Sequence, residues 1–228
     1  MSATVGRLHI ITDTVLQTTW SHVELAQRAA RGGADVVQFR HKVSNEKEQL
    51  CRVAVMMQQV IPSSVQLIVN DHVDVAQRVE GAGVHLGAAD MSPQQARQLL
   101  GAQACIGATA NSLIEAQQLF DQPVDYLGVG PLFGTTSKAN PAAALGLPQL
   151  HKIVAASPLP IIAIGGIKPQ HVQSILDAGA HGIAILSGAV CQLDVVGAVR
   201  AYRDALNQAQ SSPGAGLQRD GAIAKEIP

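Results

Sequence analysis

The chain has 228 residues and a formal net charge of −1, and its composition is 47% hydrophobic but 3% aromatic. This length suits one barrel or one doubly wound domain, and the near-neutral charge argues against a general nucleic-acid or membrane-surface binder. No apolar run approaches the roughly 20 residues of a membrane helix, and the N-terminus lacks the pattern of a signal peptide.

Three cysteines, Cys51, Cys105 and Cys191, lie far apart and have no paired spacing. Such spacing is typical of reduced core or near-core thiols and not of a disulfide framework or a zinc site. We therefore expect a cytoplasmic protein. Its expected partners are small molecules, with no nucleic acid and no membrane, and the sequence leaves open whether the chain forms a homo-oligomer.

Apolar runs typical of buried strands recur along the chain at a steady interval. They cover residues 8–12, 36–39, 66–70, 83–87, 105–109, 126–130, 160–165 and 182–186. A helical pattern follows each run, and the small-residue junctions 31–34, 80–83 and 177–180 each end a helix and lead into a strand. Eight strands in strict alternation with eight helices predict an α/β fold, a single (β/α)8 TIM barrel.

An open, doubly wound sheet is the alternative for such an alternation. The strand count favours the barrel, and no Gly-x-Gly-x-x-Gly motif follows the first strand. The barrel is expected to form one domain over residues 1–210. Residues 211–228 are rich in Ser, Pro, Gly and Ala without periodicity, which predicts a mobile, disordered tail.

Polar residues follow the second strand, at the end that faces the mouth of a barrel, where active sites lie. By strand alternation Gln38, Arg40 and Lys42 point to the same side. An arginine and a lysine beside an amide donor predict an anion clamp. The alternative is that both cations are solvated loop residues.

Two acids follow the third and fourth strands. Asp71 comes after Asn70, and Asp90 comes shortly after Gly87. Because neighbouring strands lie about 4.8 Å apart, the two carboxylates can reach one point. Paired carboxylates near a phosphate site predict Mg²⁺, which takes one or two carboxylates together with waters and phosphate oxygens. The alternative is that Asp71 caps the next helix and Asp90 is a loop acid.

Hydroxyl side chains follow the fifth and sixth strands. Thr109 offers a hydroxyl to a ligand, whereas Asn111 and Ser112 are interpreted as turn and N-cap residues. The loop after the sixth strand is the longest, and its length and position predict a mobile lid. Its candidate contacts to phosphate and to a leaving group are Thr135, Thr136, Ser137 and Lys138.

The seventh and eighth strands end in Gly165-Gly166 and Ser187-Gly188. Such turns expose backbone N–H groups, and barrels commonly hold a phosphate there. Among the histidines, His85 lies within the fourth strand and can point into the barrel. Helix-surface or turn positions are predicted for His9, His22, His151, His171 and His181.

No metal-ligand spacing, Ser–His–Asp triad or strong nucleophile stands out in the sequence, whereas two anion sites do. This combination fits a reaction in which a diphosphate leaves while a second, phosphate-anchored substrate attacks. The protein then contributes position and charge stabilisation.

Six ordered motifs carry a family resemblance: QFRHK (38–42), NDHVD (70–74), GVHLGAAD (83–90), GPLFGTTSK (130–138), AIGGI (163–167) and AILSG (184–188). With them the chain resembles the thiamine phosphate synthase family over residues 8–210. The resemblance implies a Mg²⁺-dependent transferase that joins a hydroxymethylpyrimidine diphosphate to a thiazole phosphate. It further implies release of pyrophosphate by a dissociative route through a pyrimidine carbocation.

The resemblance also implies roles for individual residues. The pyrimidine diphosphate side comprises Gln38, Arg40, Lys42 and Asn70, and Thr109 is a substrate-binding hydroxyl at a position where the family usually has serine. The thiazole phosphate side comprises Thr135, Thr136, Ser137, Gly166, Leu186 and Ser187. Asp71 and Asp90 bind Mg²⁺, and Lys138 faces the pyrophosphate. The implied catalytic set is Arg40, Lys42, Thr109 and Lys138.

Two other functions stay open at this point. Thiazole tautomerases share the fold and the phosphate cradle, but they tend to lose the second metal aspartate and use a histidine where this chain has Asn111. The chain keeps both acids, which favours the synthase. The second alternative is a non-catalytic sensor of a phosphate ligand. A further departure from the family is Gly134, where relatives often have proline.

Overall fold

Eight parallel strands form the centre of the computed structural model, which describes residues 5–43, 46–134 and 142–211. They close into a barrel in chain order, because β1 pairs with both β2 and β8. The strands are β1 (Leu8–Thr12), β2 (Val36–Phe39), β3 (Gln66–Asn70), β4 (Gly83–Leu86), β5 (Ile106–Ala110), β6 (Tyr126–Val129), β7 (Ile161–Ile164) and β8 (Gly182–Ile185). The predicted (β/α)8 barrel is confirmed.

Helices connect the strands. They are α1 (His22–Gly32), α2 (Lys47–Val60), α3 (Val73–Ala76), α4 (Pro93–Leu100), α5 (Leu113–Leu119), α6 (Gly146–Ala156), α7 (Val172–Asp177), α8 (Ser187–Val190) and α9 (Val195–Ser211), with a 3₁₀ turn at Pro169–His171. The described ranges thus hold one α-helix more than predicted, the short α8 directly after β8. Except for Ser211, the predicted tail lies outside the described residues.

Helix starts follow capping signals in the sequence. Ser21 accepts a hydrogen bond from the backbone N–H of Glu24, whose carboxylate accepts one from the backbone N–H of Ser21. Ser92 caps α4 in the same way, with Pro93 at the first helical position. Ser112 caps α5 as predicted. These caps fix where each helix leaves the loop at the barrel mouth.

Side chains fill the lower interior of the barrel. The inward-facing apolar cluster consists of Ile11, Val36, Ile68, Cys105, Tyr126, Ile162 and Ala184. Glycines provide the room, because a Cβ at Gly107 would lie 2.2 Å from the Tyr126 ring. Ile11, Tyr126, Ile162 and Ala184 of this cluster also line a cavity inside the barrel.

Polar contacts join the first two strands at the lower end. Asp35 precedes β2 and accepts hydrogen bonds from the backbone N–H groups of Arg7 (2.8 Å) and Leu8 (2.9 Å). Its other oxygen forms an ion pair with Arg203 of α9 at 2.6 Å. Burial raises the pKa of Asp35, but Arg203 and the two N–H donors outweigh it and hold that pKa below its usual range. Asp35 thus ties β1, β2 and α9 together.

All three cysteines are free thiols, of which Cys51 and Cys105 are buried and Cys191 is exposed. Burial raises the pKa of Cys105 to about 12, so this thiol stays protonated in the core. Across residues 5–43, 46–134 and 142–211, no helix combines the length and the apolar character needed to cross a bilayer.

Candidate active site

A cavity of about 410 Å³ opens at the carboxyl ends of the strands. Strand ends on several sides of the barrel contribute to it, and they bring residues from distant parts of the chain into one space. The predicted site residues that line it are Gln38, Arg40, Asn70, Thr109, Gly166, Leu186 and Ser187.

Arg40 follows β2 and reaches across to the end of β1. Its guanidinium forms an ion pair with Asp13, whose side chain is 1% exposed. The other carboxylate oxygen of Asp13 accepts hydrogen bonds from the backbone N–H groups of Val15 (2.7 Å) and Leu16 (2.9 Å). Gln38 is buried one step below Arg40. Asp13 was not predicted, although it follows β1 at the same barrel end.

Lys42, Asp71 and Asp90 form a charged cluster beside the cavity. Lys42 Nζ pairs with the Asp71 carboxylate, and the carboxyl groups of Asp71 and Asp90 hydrogen-bond to each other. Asp90 also accepts a hydrogen bond from the backbone N–H of Gly87 at 2.7 Å. The two acids therefore meet at one point, as the strand spacing predicts.

Asp71 does not cap the following helix. The N-cap of α3 is His72, which makes no side-chain capping bond. Asp71 has a φ of 67°, in the left-handed region that residues other than glycine rarely adopt. Its backbone N–H donates to the carbonyl oxygen of His85 at 2.9 Å, which holds this turn in place. The capping interpretation of Asp71 is therefore wrong.

The two carboxyl groups differ in proton affinity. Burial raises the pKa of Asp71, but hydrogen bonds from Lys42 and Asp90 outweigh it, and the net pKa lies below the usual range. Burial also raises the pKa of Asp90, and the adjacent Asp71 carboxylate raises it further. The hydrogen bond from the N–H of Gly87 lowers this pKa but does not outweigh them. In such a pair one proton is shared between the two groups.

A divalent cation can take the place of that shared proton, because it satisfies both carboxylates at once. The pair leaves coordination positions for waters and phosphate oxygens, which is the ligand set that Mg²⁺ prefers. In the described part of the chain, no group of three or more His, Cys, Asp and Glu side chains could form an all-protein metal cage. The Asp71–Asp90 pair thus fits Mg²⁺ shared with a substrate.

A chain of polar groups forms one wall of the cavity. His85 on β4 hydrogen-bonds through Nδ1 to the Tyr126 hydroxyl (3.0 Å) and through Nε2 to the Thr109 hydroxyl (2.9 Å). A Cβ at Gly128 would lie 2.9 Å from the His85 ring, so glycine provides space for it. Burial raises the pKa of Tyr126 well above its usual value, and the phenol stays protonated. The Thr109 hydroxyl is therefore held in a fixed place.

His9 and His22 are not surface or turn residues, contrary to prediction. His9 lies in β1, lines the cavity and donates from Nε2 to the carbonyl oxygen of Gly6 at 3.0 Å. His22 lies on the buried face of α1 and hydrogen-bonds to Thr12 at 2.8 Å. Burial lowers the pKa of each histidine to about 4. The available signal was strand alternation, since His9 and Ile11 point the same way.

Backbone approaches the cavity on the side of β7 and β8. Gly165 and Gly166 have φ values of 101° and 65°. A Cβ at Gly166 would lie 2.5 Å from the carbonyl oxygen of Gly134, so only glycine fits there without displacement. Leu186 and Ser187 lie next to these glycines in the cavity wall, where α8 begins. This side combines bare backbone with a hydroxyl and suits a phosphate.

Asn111 contributes more than a turn. It lines the cavity, and its side-chain amide donates to the carbonyl oxygen of Gly130. The remaining predicted contacts, Thr135, Thr136, Ser137 and Lys138, lie outside the described residues. Pro131 and Ala142, on either side of that gap, both line the cavity.

Comparisons with known proteins agree with one another. The family described as "Thiamine monophosphate synthase" matches residues 8–189. The thiamine-phosphate synthase of Salinibacter ruber is 45% identical over 183 residues, 80% of this chain and 81% of that protein. The thiamine-phosphate synthase of Chloroflexus aurantiacus is 41% identical over 197 residues, which are 86% of this chain and 91% of that protein.

Solved structures agree as well. The thiamine phosphate pyrophosphorylase from Pyrococcus furiosus superposes with a TM-score of 0.80 at 32% identity, covering 89% of this chain and 96% of that one. The family match includes all of the cavity-lining residues named above. The similarity therefore extends over the barrel and its mouth together.

Proposed function

The chain belongs to the thiamine monophosphate synthase family and is a transferase of thiamine biosynthesis, and we propose how its barrel mouth performs the reaction. A hydroxymethylpyrimidine diphosphate and a thiazole phosphate are coupled to each other, which forms thiamine phosphate and releases pyrophosphate. The observation that carries this proposal is one cavity with Arg40 on one side and a glycine wall at Gly165 and Gly166 on the other. Two anion sites in one space can hold two phosphorylated substrates with their reacting ends together.

The diphosphate is assigned to the side of β2, β3 and β4. We infer that Asp71 and Asp90 hold Mg²⁺ there, where the ion would neutralise charge on the diphosphate and make it a better leaving group. Arg40 and Lys42 supply further positive charge. Because Lys42 already contacts Asp71, it stands beside the proposed metal site.

The reaction breaks the C–O bond between the pyrimidine methylene and the diphosphate, and the electron pair leaves on the diphosphate oxygen. We propose the dissociative order, in which the methylene carbocation exists before the thiazole nitrogen donates the electron pair of the new C–N bond. Arg40 and Lys42 stabilise the negative charge that develops on the leaving oxygen. The bond change itself transfers no proton, so the reaction requires no general base among the cavity side chains.

The remaining residues are proposed to orient the two substrates. The amides of Gln38 and Asn70, with the Thr109 hydroxyl that His85 holds, suit the ring nitrogens and the amino group of the pyrimidine. Gly166, Leu186 and Ser187 suit the thiazole phosphate. The predicted roles of Thr135, Thr136 and Ser137 at that phosphate, and of Lys138 at the pyrophosphate, rest on the sequence alone, as does the cytoplasmic location.

A coupling assay tests the proposal. Purified protein is mixed with both substrates and Mg²⁺, and thiamine phosphate is measured after oxidation to its fluorescent thiochrome form. We expect product that disappears when EDTA removes the metal and returns when Mg²⁺ is restored. Thiazole isomerisation without coupling would establish the tautomerase alternative, and binding of both substrates without turnover would establish the sensor.

A further inference from the structure

Asp13 is a buried carboxylate at the cavity mouth, directly behind Arg40. Its Oδ1 accepts the backbone N–H groups of Val15 and Leu16, and its Oδ2 faces Arg40 Nη1. The side chain is 1% exposed and is not part of the cavity wall. Asp13 therefore acts on whatever the cavity binds only through Arg40.

Arg40 has donors left over for a ligand. A guanidinium carries five N–H donors in one plane, and Asp13 contacts Nη1 alone. The Arg40 side chain is 16% exposed and lines the cavity, so it keeps access to an anion there. An arginine has much rotamer freedom, and a fixed carboxylate removes that freedom before a ligand arrives.

We propose that Asp13 is a positioning residue, which holds Arg40 so that the free part of its guanidinium faces the diphosphate. This inference rests on the proposed function, because it takes the diphosphate as the anion. It assigns Asp13 no contact with substrate. Its effect is specific to one substrate, since the glycine wall at Gly165 and Gly166 binds the other phosphate without Arg40.

The fold contains a matched control at its other end. Asp35 also accepts two backbone N–H groups and pairs with one arginine, Arg203. Arg203 lies on α9 and is not part of the cavity wall. If the role of Asp13 were purely structural, its substitution would affect stability and substrate binding in the same way as substitution of Asp35.

The test compares Asp13→Asn with Asp35→Asn. An amide oxygen can keep the bonds from Val15 and Leu16, but an amide NH₂ cannot accept from Arg40. We expect Asp13→Asn to raise the KM for the pyrimidine diphosphate and to lower the corresponding kcat/KM by about 10- to 100-fold. The KM for thiazole phosphate should not change. Asp35→Asn should leave both KM values unchanged and lower only the melting temperature.

A double-mutant cycle adds a second criterion. In an Arg40→Gln background, Asp13→Asn should cost little further activity, because the residue it positions is gone. Additive losses, or an equal KM change for both substrates, would overturn the proposal. If Asp13→Asn does not fold, Asp13→Ser, which can still accept the N–H groups of this turn, must show the same selective rise.

Direct binding separates this inference from the proposed function. Inorganic pyrophosphate with Mg²⁺ is titrated into wild-type protein and into Asp13→Asn by calorimetry. Weaker pyrophosphate binding by the variant supports the role of Asp13. If the wild-type protein forms no thiamine phosphate, only the proposed function is refuted, and the binding result still stands. Equal binding by both proteins refutes the role of Asp13.

Discussion

Three side chains at the cavity mouth are each held by a structure behind them. Asp13 holds Arg40, His85 holds Thr109, and a left-handed turn holds Asp71. Each arrangement fixes a group before a substrate arrives, so less entropy is lost on binding. In the proposed mechanism, the groups that bind substrate or Mg²⁺ therefore depend on the groups that hold them in place.

Replacement of Asp90 tests the metal site. Asp90→Asn keeps the size of the side chain and removes one charged Mg²⁺ ligand, and we expect Mg²⁺-dependent turnover to fall by at least about 10-fold. The melting temperature should stay near that of the wild-type protein. Turnover is measured over a Mg²⁺ titration, and a loss of folded protein that matches the loss of activity would contradict the metal assignment.

Replacement of Thr109 tests the hydroxyl at the cavity wall. Thr109→Val keeps the shape, removes the hydroxyl and leaves His85 Nε2 without that partner. We expect kcat/KM for the pyrimidine diphosphate to fall by about 10-fold or more, together with about 1–3 kcal/mol of stability. Thr109→Ser is the control and should retain activity. Equal kinetics for the valine and serine variants would remove Thr109 from the site.

Sequence patterns predicted some of these residues and missed others for physical reasons. Gln38 and Arg40 belong to a strand and its continuation, so alternation placed both on the cavity. His9 obeys the same alternation, but a histidine in an apolar strand carries no chemical signature. Asp13 was missed because its role depends on a side-chain contact with Arg40, which is distant in sequence and is brought close by the pairing of β1 with β2.

Strand bounds were predictable to within one residue, because each strand is a short, mostly apolar run that a helical pattern follows. The helix α8 was not predicted, since four residues are too few to show a helical period. The lid predicted after the sixth strand covers residues 130–146, and its central part, residues 135–141, lies outside the described ranges. Local pattern thus defined the repeating βα units but not the additional helix at the phosphate side.

The lower end of β1 allows a prediction about stability. Asp35 connects the start of β1 to β2 and α9. Asp35→Asn weakens the ion pair with Arg203, and we expect the free energy of unfolding to fall by about 1–3 kcal/mol in urea titrations. Activity per folded molecule should not change. An unchanged unfolding curve would show that β1 is held by its strand pairing alone.

The stability of the whole barrel should fall in acid. Burial lowers the pKa of His9 and of His22 to about 4. Below the ordinary value of about 6.5 the unfolded chain binds protons that the folded chain excludes, so stability decreases as the pH falls from about 6.5 towards 4. Each histidine accounts for about 3 kcal/mol of this loss. Above about pH 6.5 neither state binds these protons, so the full stability is present.

Urea unfolding at several pH values across the window measures this effect. His9→Gln can keep a donor for the carbonyl oxygen of Gly6 but does not titrate, so its acid loss should be smaller than that of the wild-type protein. His151→Gln changes an exposed histidine on α6 and should follow the wild-type curve. An acid loss in His9→Gln as large as in the wild-type protein would contradict the role of His9.

At the level of the whole molecule, barrel closure brings Arg40 and the glycine wall to one cavity, where two substrates are proposed to be joined. The most direct measurement is the simultaneous quantification of pyrophosphate and thiamine phosphate in one reaction that contains both substrates and Mg²⁺. We predict that the two products form in equal amounts and that little pyrophosphate forms without thiazole phosphate. Pyrophosphate release without thiamine phosphate, or no release at all, would contradict the account.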